Sequence, residues 1–189
     1  APFEASGSDR ATLEIAAFPS LDFNKCYNFF MDYPYSCSEQ ISSRGIGLVA
    51  MKKYLTQEQA SKIDSIIPGL LGQIYSRQLP DGGFVYWPGA SMADEWVTSM
   101  AGHFLTVAAA NGYHISSTFY QKWLGYQRKA SNNYKRSEQQ IFDMVQAYRL
   151  FTLALSSNPD HGAMNRLKER SDLSVSSQWL LAAAYSLQG

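Results

Sequence analysis

Apolar residues recur at intervals of three and four along most of the chain, the spacing that lines one face of an α-helix. The exception is residues 11–21, ATLEIAAFPSL, where β-branched and apolar residues run up to Pro19; this reads as a short extended lead-in. A short helix is predicted over 22–31, ending before Pro34, and a second over 37–54. Thr56 and Gln59 form a capping box for the next helix, whose buried face is Ile63, Ile66, Ile67, Leu70 and Ile74. Pro68-Gly69 is expected to kink or break it.

Residues 77–94, RQLPDGGFVYWPGASMAD, form a loop dense in Pro and Gly that also carries Phe84, Tyr86 and Trp87. So aromatic a loop is expected to pack onto the domain and shape a surface. The second half predicts four more helices, over 93–111, 117–130, 137–155 and 174–187. The first has Trp96, Met100, Phe104 and Val107 on one face and stops at Asn111-Gly112; the second carries Phe119, Trp123 and Tyr126. Ser137 and Gln140 repeat the capping box, and Asn158-Pro159 places a proline at a helix start.

Residues 104–112 (FLTVAAANG) echo 150–159 (LFTLALSSNP), with Thr106 matching Thr152, and each segment ends a helix that is followed by another. Repeated helix pairs predict an all-α fold, an α/α solenoid or a closed α/α toroid. The expected organisation is an extended lead-in over 1–21 and a single helical domain over 22–189.

Composition narrows the function classes. Lys+Arg and Asp+Glu are 16 each, so no basic excess exists to neutralise phosphates and a nucleic-acid partner is not expected. Charged residues make up 17% and aromatic ones 14%, which disfavours disorder. No apolar run approaches the roughly 18–20 residues of a membrane span. The opening APFEASGSDR has neither the basic nor the apolar part of a signal peptide, so any export signal is expected outside this chain.

The informative chemistry lies in residues 32–44, DYPYSCSEQISSR. Cys37 follows a tight Tyr-Pro-Tyr-Ser turn at a predicted helix start, where unpaired N–H groups and the helix dipole favour an anionic sulfur. Gln40, three residues on, shares its helical face, so the carboxamide can approach the sulfur. A sulfur that displaces ammonia from that amide leaves an internal thioester, an acyl donor held in reserve. Tyr33, Tyr35 and Trp87 are candidates for an aromatic shield against water. Three other readings compete: an inert buried cysteine beside a solvated glutamine, a Cys26–Cys37 disulfide, and a glycan-cleaving toroid with Asp94 and Glu95 as its acid pair. Asp94 and Glu95 also fit a plain helix N-terminus, with Ser91 and Asp94 as caps. His103 reads as a core histidine, and His103, His114 and His161 are not spaced as metal ligands, so neither a metal nor a cofactor is expected.

Cys37-Ser38-Glu39-Gln40 matches the Cys-x-Glu-Gln hallmark of the thioester-containing alpha-2-macroglobulin and complement family, which the chain resembles. Tyr33-Pro34-Tyr35-Ser36-Cys37 and Ser43-Arg44 resemble the bacterial branch, with Ser36 where glycine is common. A Pro80-Asp81-Gly82-Gly83-Phe84 loop and a helix opening on Trp96-Val97-Thr98 extend the likeness. The resemblance implies an α/α toroid present as a partial ring, one module of a much larger protease-trapping inhibitor, not an enzyme, acting outside the cytoplasm in the periplasm, at the cell surface or after secretion. Its partners would be attacking proteases and the other domains of its parent. Cys37 would be the leaving thiolate, Gln40 the acyl donor, and Glu39 a motif residue. Complement-type members that acylate hydroxyls use a downstream histidine; here that place falls near residues 134–140, which contain none, so amines are the expected acceptors and His161 is the nearest alternative. A thioester-less scaffold that only binds a partner is the remaining alternative.

Overall fold

Helix starts fix the architecture, because most carry a side chain that satisfies a free backbone N–H. The structure, a computed structural model, describes residues 22–135 and 140–188. The lead-in over 1–21 and Ser137 of the second expected capping box lie outside the described residues. Helix α1 (Phe23–Met31) is capped by Asp22, and α3 (Gln57–Tyr75) by the predicted Thr56–Gln59 box. Between them lies α2 (Ser38–Met51), tightening into a 3₁₀ turn at Lys52–Tyr54. Asp94 caps α4 (Glu95–Ala110), Asp160 caps α7 (His161–Lys168) and Ser174 caps α8 (Val175–Ser186). Helices α5 (Ser117–Asn133) and α6 (Gln140–Leu155) complete the set.

Helices α2, α4, α6 and α8 pack each on the next in chain order, while α1 and α3 lie on α2, α5 on α4 and α6, and α7 on α6 and α8. The described chain is therefore all-α, with inner and outer helices alternating in sequence. No strand occurs among the described residues; the single β-type pairing is an isolated bridge between Gln78 and Phe84. The larger core gathers Leu48, Ile63, Ile67, Phe104, Leu105 and Trp123, and a second gathers Leu150, Met164, Leu167 and Leu181 between α6, α7 and α8.

Three expectations are corrected. Helix α3 runs unbroken through Pro68, because Ile63 and Ile67 before it and Leu70, Leu71 and Ile74 after it are buried in one core; that packing outweighs the missing backbone bond. Helix α4 is buried on nearly every side rather than on one face, since it lies between α2 and α6. Pro159 precedes the cap Asp160 instead of opening the helix, so α7 is a separate short element.

The loop after α3 is docked as expected. Leu79 N–H donates to Gly83 O at 2.8 Å, Val85 N–H to Arg77 O at 3.1 Å, and Phe84 N–H to Thr98 Oγ1 at 2.9 Å. Phe84 and Val85 are buried. Gly82 is required at its position. Its φ is +98°, and a Cβ there would stand 2.1 Å from the Lys122 carbonyl oxygen.

Candidate thioester site at the start of helix α2

Cys37 is the N-cap of α2 and is 2% exposed. Its sulfur accepts the Gln40 backbone N–H at 3.4 Å, and the Gln40 side-chain oxygen accepts the Cys37 backbone N–H at 3.1 Å. The two side chains thus share the first turn, each satisfying the other residue's backbone N–H. The same reciprocal geometry joins Thr56 and Gln59 on α3, at 3.3 and 3.1 Å. The sequence offers Gln40 as a reaction partner or as a solvated glutamine; the structure makes it an N3 capping residue.

The docked loop closes over this turn. Tyr86 O accepts the Ser38 N–H at 3.1 Å, and the Ser38 hydroxyl donates to Val85 O at 2.6 Å. Glu39 accepts from the Tyr86 hydroxyl through one oxygen and from Trp96 Nε1, at 3.1 Å, through the other. One carboxylate therefore ties α2 to both the loop and α4. The bond to Glu39, then burial, hold the Tyr86 phenol well above its ordinary range, so it stays protonated. Arg77, 6% exposed, donates from Nη1 to the Ser38 hydroxyl at 3.1 Å. Burial pulls its guanidinium below the usual arginine range, and negative charge at Cys37 acts in the opposite sense.

Of the expected shield, Tyr33 is half-buried and lines a cleft of about 270 Å³ with Phe29, Phe30, Glu39 and Gln40. Tyr35 and Trp87 are 63% and 53% exposed. The chain turns outward after Tyr86, whose carbonyl is pinned to Ser38, so Tyr86 and not Trp87 is held against α2 through Ser38 and Glu39. Arg77, Ser38, Tyr86 and Trp96 were absent from the sequence-derived set. Arg77, Tyr86 and Trp96 join the site across sequence separations of 39, 47 and 57 residues, which no local spacing reveals.

The competing sites resolve into structural roles. Asp94 caps α4 by accepting the Val97 N–H at 2.8 Å, and Glu95 pairs with buried Arg149 at 3.0 Å. Cys26 and Cys37 are both free thiols. His103 is bonded through Nδ1 to the Tyr148 hydroxyl at 2.8 Å, and burial brings its pKa down to about 4. His161 opens α7, exposed, among helices that do not pack on α2; residues 136–139 of the segment lacking histidine lie outside the described residues. Among the described residues no cluster of His, Cys, Asp and Glu could hold a metal ion, and no helix is long and apolar enough to cross a membrane.

No protein-family model matches the chain. It is 31% identical over 90 residues, 46% of its length, to an alpha-2-macroglobulin homolog of Yersinia pestis, and 26% identical over 125 residues, 62% of its length, to an alpha-2-macroglobulin of Xylella fastidiosa. These matches span 4% and 8% of the two relatives. In structure it superimposes on Escherichia coli alpha-2-macroglobulin in its native form, from domain MG7 to the C-terminus, with a TM-score of 0.76 at 20% identity. That match covers 90% of this chain and 29% of the other. Salmonella alpha-2-macroglobulin reacted with methylamine also gives 0.76, at 21% identity, over 91% of this chain and 12% of that one. In sequence and in fold, the chain is similar to part of the bacterial alpha-2-macroglobulins.

Proposed function

We propose that this domain carries an internal thioester between Cys37 and Gln40 and serves as the acylating module of an extracytoplasmic protease-trapping inhibitor. The observation that supports it is the identity of the cap. Asp22, Thr56, Asp94, Asp160 and Ser174 cap their helices through oxygen, whereas α2 alone among these uses sulfur, at 3.4 Å. Capping by itself favours Ser, Thr, Asp or Asn. A buried thiol in that place, sharing a capping box with a carboxamide, has a chemical use that a hydroxyl cap lacks.

The reaction follows from the geometry. Sγ attacks Gln40 Cδ and ammonia leaves, giving the thioester. The Cys37 N–H, already bonded to the Gln40 oxygen at 3.1 Å, stabilises the charge that develops there, as an oxyanion-hole donor does. A lysine amine later attacks the same carbon, forming an amide and releasing the sulfur. In the parent protein, cleavage of a bait segment elsewhere would expose this bond, and the attacking protease would supply the lysine. The relatives' names support the inhibitor class, and the Salmonella protein's reaction with methylamine supports amine chemistry in the family. The glycan-cleaving alternative draws no such support, because Asp94 and Glu95 are engaged in a cap and an ion pair.

The test is intact-mass measurement on gently prepared protein, followed by methylamine treatment. The native mass should be one ammonia below the sequence mass, and methylamine should appear on Gln40 as Cys37 becomes a free thiol. An unaltered Gln40 that takes up no amine would rule the thioester out.

A further inference from the structure

Burying a cation without a counter-charge is costly, so such a group invites the question of what it faces. Arg149, 1% exposed, is neutralised by Glu95 and bonded to Gln127 and Gln146. Arg170 is paired with Asp143 and Asp172. Arg77, 6% exposed, makes no ion pair among the described residues, and its buried Nε has no hydrogen-bond partner. Its one side-chain bond goes to the hydroxyl of Ser38, the residue that follows Cys37.

We propose that Arg77 is the electrostatic partner of the Cys37 sulfur and stabilises it as the leaving thiolate during acyl transfer. The proposal rests on the thioester reading above. When an amine attacks Gln40 Cδ, the C–N bond forms and the C–S bond breaks with its electron pair left on Sγ. The proton lost by the amine nitrogen passes to solvent base. The new anion emerges where Cys37 is 2% exposed and water can do little to stabilise it. The Gln40 N–H meets it at 3.4 Å, and the buried Arg77 guanidinium, bonded at 3.1 Å to the hydroxyl of the adjacent Ser38, brings a positive charge to the same turn. Docking of the loop does not need that charge. Arg77 holds it through its backbone, accepting from Val85 N–H at 3.1 Å, and Ser38 bonds Val85 O by itself at 2.6 Å.

The experiment uses the whole 189-residue chain and methylamine, following thiol release by absorbance and amide formation at Gln40 by mass. Arg77→Gln should slow thiol release on the order of a hundredfold to a thousandfold, the range seen when a single stabilising donor is removed from a developing anion. Arg77→Lys, which keeps the charge and loses the fork geometry, should recover most of the rate. Arg77→Met, of similar length, replaces Arg77→Gln if the latter does not fold. Wild-type rates in the neutral variant would overturn the proposal and leave the thioester standing. Equal losses in Arg77→Lys and the neutral variant would also overturn it, since geometry alone would then explain both. No amine uptake by the wild type would remove the thioester itself, and with it the role assigned to Arg77.

Discussion

Cys37 and Gln40 cap each other: the sulfur accepts the Gln40 N–H at 3.4 Å, and the Gln40 oxygen accepts the Cys37 N–H at 3.1 Å. One pair of contacts therefore has two consequences, for helix stability and for chemistry, and substitution separates them. Cys37→Ser keeps a good cap and should leave thermal stability nearly unchanged. Cys37→Ala loses the cap and should cost about 1 kcal/mol. Both should abolish methylamine labelling of Gln40, while Cys26→Ala, on α1, should preserve it. Labelling that survives in Cys37→Ser would show that sulfur is not required.

The helices and their caps were legible because they are local. Thr56–Gln59, Asp94 and the Cys37–Gln40 pair all lie within one turn, where residue type and a three-residue spacing set the geometry. The continuity of α3 through Pro68 was not legible, because it depends on burial of Ile67 and Leu70 against other helices. The walls of the site were hidden for the same reason. Tyr86, Trp96 and Arg77 reach α2 only after the loop folds back, and Tyr86 and Trp87 are neighbours in sequence with opposite fates.

Glu39 should prove to be the clasp of the site. Glu39→Ala would leave the Tyr86 hydroxyl and the Trp96 indole N–H without their acceptor, and the expected loss is roughly 1–3 kcal/mol. Glu39→Gln retains one acceptor oxygen and should cost less. Denaturant unfolding followed by tryptophan fluorescence measures both. Equal stability of Glu39→Ala and the wild type would mean that these bonds do not hold the loop to α2.

Two helical glycines should respond to alanine with opposite sign. At Gly72 a Cβ meets nothing within 4 Å, so Gly72→Ala should gain up to about 1 kcal/mol of helix propensity. At Gly102 a Cβ would stand 1.8 Å from Trp123 Cε2. That ring is fully buried and bonded through Nε1 to Thr98 O at 3.0 Å, so it has little room to retreat. Gly102→Ala should therefore destabilise by roughly 1–3 kcal/mol or more, despite the better propensity. Thermal melts of the two variants give the comparison, and a stabilised Gly102→Ala would show that α4 and α5 can move apart.

The last expectation concerns acid. Burial brings the His103 pKa from 6.5 down to about 4, with its ring set among Tyr148 and Phe151. The folded protein therefore holds this imidazole neutral over a range in which the unfolded chain protonates it. Between those two values the unfolded state binds more protons, so stability falls as pH drops from 6.5 towards 4 and levels off below. The shift corresponds to a loss of up to roughly 3 kcal/mol across the window. His103→Gln cannot take up a proton there, and it can still bond the Tyr148 hydroxyl that now meets Nδ1 at 2.8 Å. Its denaturant-derived stability should fall less steeply than that of the wild type between pH 6.5 and 4. Parallel curves for the two proteins would mean that His103 titrates alike in both states, and that its burial carries no penalty on charge.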